Sequence, residues 1–414
     1  MFGRGMFGSN ALTAILALAF YASILAAAFS SRFRNWVNVY LSMPRPSNQR
    51  HLASLDALRG LAALIIAAFH GWQWPGAPPH VVPAFIENGS KAVPVFVALS
   101  GFLIYRAVLP IDSGDQLRRY LRNRFFRIFP LYAASVVVLA ALGCLGDSQN
   151  RLAEFLANLF VLRSFGSPLF ANPPVWSLYV EIMFYLLLPI AVIAFGKRTP
   201  LAAAIGIVVL ALTDLPGPRE FMLCKYFLVG ILASETASRW PDMREPLALG
   251  AIAIGLGLLA IDAQFNIDWF NLFLRGGATS EVLQDSGATV GLAIALFLLL
   301  AGMTGSHWAN RFFALTPWRV LATISYSVFI WHSLVVISGA PVMFTGDGSI
   351  RLLPGALPRV TPAGLCLLYL PAVCMLSALS FLVIERPFLH RKARRQSAIS
   401  ERSARDSDMA GTAR

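Results

Sequence analysis

The sequence predicts an all-α polytopic membrane protein, and three observations carry that prediction. Composition is the first: 57% of the 414 residues are hydrophobic and 13% are charged, with a mean hydropathy of +0.64, whereas a soluble domain carries roughly 25% charge. The second is the recurrence of apolar runs long enough, at about 20 residues, to cross ~30 Å of hydrocarbon. The third is where the positive charge falls. Of 34 Lys and Arg, 24 lie in alternate segments (32–54, 106–127, 197–198, 239–244, 311–319 and the tail from 386), 9 lie in the intervening ones, and Arg59 lies inside a run. Excess Lys and Arg marks the cytoplasmic side, so the C-terminus is expected inside and the first ten residues outside.

The runs fall at 10–30, 55–74, 92–110, 126–145, 175–195, 200–214, 219–236, 246–263, 286–303, 319–340 and 362–384, eleven expected spans. The first, "NALTAILALAFYASILAAAFSS", has the small residues of a signal peptide near its end. Only Arg4 precedes it, however, while Arg32, Arg34, Arg45 and Arg50 follow, and cleavage would strand those arginines outside. It therefore reads as an uncleaved anchor, and with the basic cytoplasmic linker "YLSMPRPSNQRH" behind it makes a segment of residues 1–50. The ten later spans form one working unit, 51–390, without an internal repeat. Residues 391–414, "RKARRQSAISERSARDSDMAGTAR", are polar and charged and are expected to be disordered and cytoplasmic. The net charge of +13 is accounted for by topology and anionic lipid, so no nucleic-acid partner is expected. Cys144, Cys224, Cys366 and Cys374 sit in apolar runs with no CxxC pair; they read as packing residues, and no metal is expected.

Polar residues inside the runs carry the functional signal. "LDALRGLAALIIAAFHGW" holds Arg59 and His70 eleven residues apart, about three helical turns, so both share one face ~16 Å apart along the axis. Ionisable groups at membrane depth are costly and normally face a bundle interior or a water-filled cavity. The plainer reading is that Arg59 snorkels and pairs with Asp56 while His70 bonds another helix. In "NPPVWSLYVEIMFYLLLP", Ser177, Glu181 and Tyr185 recur every four residues on one face. A lone Glu there must be protonated, paired or facing water. "ISYSVFIWHSLVV" places Ser325 and His332 seven apart on one face, with Tyr326 beside them; these side chains serve either acid–base chemistry or helix–helix bonding. "QLRRYLRNRFFRIFPLY" crowds Arg118, Arg119, Arg122, Arg124 and Arg127 before a span. That cluster is either a topology signal or a bidentate phosphate grip.

Together these motifs resemble the membrane acyltransferase-3 family of bacterial surface-glycan acyltransferases. The resemblance covers about 51–390 and rests on the basic residue and histidine of "LDALRGLAALIIAAFH", on "VFVALSGFLI", and on the Arg-x-x-Arg of "RNRFFRIFPLY". It rests also on Trp176, Ser177 and Glu181 of "PVWSLYVEIMFYLLLP", on "ISYSVFIWH", and on "IERPF". Ile182 stands where many members have a second acidic residue, and Leu334 replaces a proline common after the late histidine.

The resemblance implies a ten-helix acyltransferase bundle, here with one extra N-terminal transmembrane helix, in the bacterial inner membrane. It implies an O-acyltransferase that draws an acyl group, most often acetyl, from cytoplasmic acyl-CoA and delivers it to a hydroxyl of a cell-surface or lipid-linked glycan. Arg124 and Arg127 would hold the donor's phosphates, and the stripe from Arg59 to His70 would line its path. His70 would act as general base, with Glu181 orienting it as the acid of a triad does. Ser177, Tyr185 or a backbone amide would face the oxyanion. Asp56, Trp176, Ser325, Tyr326 and His332 would support the site. An acyl-enzyme on His70 or a serine is the variant mechanism. The rival class is a transporter or exporter using the intramembrane Arg, Glu and His as a relay. Acceptor recognition is expected in loops 71–91, 146–174, 264–286 and 341–361; the acceptor itself, the acyl group and a homo-oligomeric state are left open.

Overall fold

The computed structural model describes residues 30–41, 52–73, 84–142, 151–160, 172, 174–212, 219–241, 243–265, 290–339, 342–344, 350–352 and 369–389. The first apolar run, apart from Ser30, and the basic tail lie outside the described residues, as does much of the four loops assigned to the acceptor.

Helices make up nearly all of what is described. They are α1 (Ser31–Tyr40), α2 (Ala53–Gln73), α3 (Ala92–Val108), α4 (Gly114–Ala141), α5 (Arg151–Leu159), α6 (Val175–Phe195) and α7 (Thr199–Leu212). There follow α8 (Arg219–Arg239), α9 (Glu245–Phe265), α10 (Val290–Gly305), α11 (His307–Phe313), α12 (Thr316–Gly339) and α13 (Leu370–Ser380). One short antiparallel hairpin, β1 (Val342–Phe344) with β2 (Ile350–Leu352), departs from the helical pattern. Among the described residues six segments are long and apolar enough to cross a membrane, and a seventh joins them if α10 and α11, bent by 85°, count as one broken span. The chain is thus an all-α polytopic membrane protein.

Three elements differ from the pattern of the sequence. Residues 106–127 read as a loop, yet α4 already begins at Gly114 and runs 28 residues, ~42 Å at 1.5 Å per residue. Ser113 starts it by accepting a hydrogen bond from the Gln116 N–H, and the arginines from Arg118 to Arg127 therefore lie on a helix. Between the first run and the linker quoted above lies α1, capped by Ser30 accepting from Phe33 N–H at 3.0 Å. Finally, the runs 175–195 and 200–214 form one apolar stretch of 36 residues, Val175–Leu210, carried through a single 3₁₀ turn at Gly196–Arg198 with Gly196 at φ +52°.

Glycines set the closest helix contacts. A Cβ on Gly101 would stand 2.1 Å from the Phe227 carbonyl oxygen, and one on Gly230 would stand 2.0 Å from that of Ala98, so α3 and α8 pack nearly backbone to backbone. Gly60 brings α2 close to α12, where a Cβ would stand 2.9 Å from the Leu321 carbonyl carbon and 3.0 Å from the Ala322 nitrogen. Around these contacts lies a core that includes Leu99, Phe102, Leu131, Phe227 and Ile330. The pairings Gly60 with Leu321 and His70 with His332 ascend together, so α2 and α12 run parallel. That parallel pair presents the candidate site.

Candidate active site

The polar residues gather at two levels of the α2–α12 pair. At the upper level His70 Nδ1 lies 2.9 Å from His332 Nε2, with the ring planes 7° apart and centroids separated by 5.1 Å, an in-line, almost coplanar hydrogen bond. His332 Nδ1 lies 3.1 Å from the Val328 carbonyl oxygen, one turn back on its own helix. A carbonyl only accepts, so His332 Nδ1 carries the proton, and in the neutral ring Nε2 is the acceptor. His70 Nδ1 is then the donor, and neutral His70 has its basic lone pair at Nε2. His332 is fully buried, whereas His70 is only partly covered. His70 is thus the member of the pair with surface left for a reacting group.

A shell of hydrogen bonds fixes this end of α12. The Tyr369 hydroxyl donates to the His332 carbonyl at 3.0 Å. Asn172, 3% exposed, donates Nδ2–H to the Ile330 carbonyl at 3.0 Å and accepts from the Ser333 hydroxyl at 2.5 Å. Neither Asn172, Ser333 nor Tyr369 stood out in the sequence. Asn172 opens the quoted "NPPVW" stretch, and an amide just before a span start was the available signal.

The lower level collects the charges. Arg59 donates Nε–H to Ser325 Oγ at 3.2 Å and reaches Asp56 Oδ1 through Nη2 at 3.4 Å. Arg127 and Glu181 are the further side chains acting electrostatically on Arg59, along with Tyr185. Tyr185 donates its hydroxyl to the Glu181 carboxylate. The Arg124 guanidinium carbon sits 5.4 Å from the ring centre of Tyr120 and 5.2 Å from that of Tyr185, held between two aromatic rings. Of the five crowded arginines, Arg118, Arg119 and Arg122 are exposed, and Arg124 and Arg127 turn partly inward. These two are the pair that the Arg-x-x-Arg spacing picks out.

Three expectations change. Glu181 does not orient His70 here: its carboxylate takes the hydroxyl of Tyr185, its i+4 neighbour, while His332 supplies the bond to His70. Ser177 donates to the Pro174 carbonyl of its own first turn at 3.1 Å, so neither its hydroxyl nor that of Tyr185 is an oxyanion donor in this arrangement. The Tyr326 hydroxyl donates to the Ile128 carbonyl at 2.9 Å, a bond that ties α12 to α4. Trp176 is partly buried against the hydrophobic core, a packing role. Among the described residues no three His, Cys, Asp or Glu side chains gather as a metal site would require.

Comparison with known proteins adds an independent line. A family model described as an acyltransferase domain, that of the acyltransferase-3 family, matches residues 52–384. A putative peptidoglycan O-acetyltransferase of Bacillus subtilis is 24% identical over 389 residues, covering 83% of this chain and 56% of the relative. A peptidoglycan O-acetyltransferase of Listeria monocytogenes is 25% identical over 379 residues, covering 82% and 56%. A putative membrane-bound transacylase of Komagataeibacter xylinus is 22% identical over 395 residues, covering 87% of this chain and 88% of the relative. The chain spans about half the length, 56%, of the first two. No solved structure matches it.

Proposed function

Because the chain belongs to the acyltransferase-3 family, we propose that it is a membrane O-acyltransferase that moves an acetyl group from cytoplasmic acyl-CoA to a hydroxyl of a glycan presented on the other side. Peptidoglycan is the acceptor that two of the relatives' names state. The lower level is the donor's entry, on the cytoplasmic, Arg-rich side: Arg124 and Arg127 grip phosphate oxygens through paired N–H groups, and Arg59 continues the positive wall. The acyl thioester then lies towards His70, ~16 Å further along α2.

Chemistry follows from the imidazole pair. The acceptor O–H gives its proton to His70 Nε2 as its oxygen attacks the thioester carbonyl carbon, forming the new C–O bond. The charge that arises on His70 strengthens its Nδ1–H bond to the neutral His332 acceptor, the stabilising part an acid plays in a triad. Collapse of the tetrahedral intermediate breaks the C–S bond, and the proton on Nε2 leaves with the thiolate sulfur. One observation carries this reading: a partly accessible imidazole whose far nitrogen is bonded to a fully buried second imidazole with its tautomer fixed by a backbone carbonyl.

The test uses the full chain purified into nanodiscs, with radiolabelled acetyl-CoA and a soluble glycan fragment as acceptor. His70→Ala should abolish transfer of label while the protein stays folded and embedded. Transfer by that variant above one-tenth of the parent rate (a tenfold change is ~1.4 kcal/mol) would remove His70 from the centre of the scheme. Quenched label on the wild-type protein itself would favour the acyl-enzyme variant over direct transfer.

A further inference from the structure

Asn172 takes no part in the proposed chemistry, yet it is buried and both ends of its carboxamide are bonded to one turn of α12. Nδ2–H goes to the Ile330 carbonyl and Oδ1 takes the Ser333 hydroxyl, so the amide spans the turn that carries His332. Three alternate carbonyls there accept a side chain in addition to their place in the helical ladder: Val328 from the His332 ring, Ile330 from Asn172, and His332 from Tyr369. A carbonyl oxygen has two lone pairs, so these bonds are added without breaking the helix, and each restrains the height or rotation of the turn. Asn172 is held in its own place as well. Its backbone carbonyl accepts from the Val175 N–H at 3.1 Å, where α6 begins.

A hydrogen bond that only joined two helices would serve anywhere along α12. This one falls on the two residues that bracket Trp331 and His332, and the height of His332 decides whether its Nε2 stands 2.9 Å from His70 Nδ1. We propose that Asn172 is a positioning residue that keys the start of α6 to the His332 turn and so holds the two imidazoles at bonding distance. The inference rests on the base reading given above. Lower down, α6 keeps a separate contact, the Tyr185 ring centre 5.2 Å from the Arg124 guanidinium carbon, ten residues or ~15 Å from Val175. Loss of the Asn172 amide therefore disturbs the imidazole level and spares the arginine level.

The test uses the full chain in nanodiscs, with acetyl-CoA and a soluble glycan fragment as substrates. Asn172→Ala should lower kcat by about tenfold, since a displacement of ~1 Å near reacting groups costs up to about a hundredfold, and should leave KM for acetyl-CoA within about twofold. In the His332→Ala background the same change should lower kcat by less than about twofold, as expected for a residue that acts through another. Ser333→Ala removes one of the two bonds; it should give a smaller loss of the same kind, and serves if Asn172→Ala does not fold. An unchanged kcat, an equal loss in both backgrounds, or a rise in KM that matches the fall in kcat would overturn the proposal. Nitrogen-15 spectra of the histidine-labelled chain keep the two readings apart. The cross-peak joining the His70 and His332 rings, identified by its absence in His70→Ala, should weaken in Asn172→Ala whichever group is the base. An unchanged cross-peak would end the positioning role, whereas full transfer by His70→Ala would end the base reading alone.

Discussion

Replacing His332 separates its role from that of His70. His332→Ala removes the acceptor of the His70 Nδ1–H bond, a 2.9 Å contact to a fully buried ring. Its worth grows when His70 becomes charged, and a hydrogen bond to a charged group contributes about 1.5–3 kcal/mol. At 1.36 kcal/mol per factor of ten, that lowers kcat by about 10- to 150-fold. KM for the donor should hardly move, because the arginine level lies ~16 Å away along α2. Glutamine at the same position offers an amide oxygen near the place of Nε2, so His332→Gln should recover most of the loss. Steady-state acetyl transfer in nanodiscs, with thermal unfolding run alongside, reads all three enzymes. If the alanine variant keeps its kcat within twofold, or the glutamine variant falls as far as alanine, the imidazole pair is a packing contact and the base scheme loses its support.

Two further predictions concern the frame that holds the site. A methyl on Gly230 would meet the Ala98 carbonyl oxygen at 2.0 Å, a backbone atom that cannot swing aside. Gly230→Ala should therefore cost about 1–3 kcal/mol by overpacking and lower the thermal midpoint in detergent, whereas Gly250→Ala, with nothing within 4 Å, should be neutral or gain up to ~1 kcal/mol of helix propensity; equal midpoints for the two variants would contradict the close α3–α8 approach. Lys91 pairs with Asp262, which is 2% exposed, at 2.8 Å. Lys91→Met removes this buried ion pair and should lower the thermal midpoint, and adding Asp262→Asn should restore part of the loss; no recovery in the double variant would show that the Asp262 charge is not the source of the loss.

Much of the fold was readable because membrane helices obey a simple rule: the backbone must bond to itself and the side chains facing lipid must be apolar. Among the described residues hydropathy found the helix positions for that reason. It misjudged their ends, since polar residues continue a helix beyond the apolar part without changing its geometry. α4 shows this, with Ser113 capping a helix whose first turns are charged and whose arginines looked like a loop. At Lys197 and Arg198 the opposite happened. Two charges suggested a break, but only one 3₁₀ turn separates α6 from α7.

The site was half legible, and the boundary is geometric. Periodicity reports which residues share a face of one helix, so Arg59 with His70 and Ser325 with His332 were each visible as pairs. It says nothing of the level at which one helix stands against another. Eleven residues rise ~16.5 Å and seven rise ~10.5 Å, so the two pairs can meet at both ends only if some side chain covers ~6 Å along the axis. Arginine is long enough, and Arg59 does so, reaching Ser325 from a turn away. The same blindness to level made Glu181 look like a partner for His70, when its own i+4 tyrosine was nearer. A site assembled from four helices is therefore announced by its sequence as a set of costly residues, and only the packing of α2 on α12 tells which of them meet.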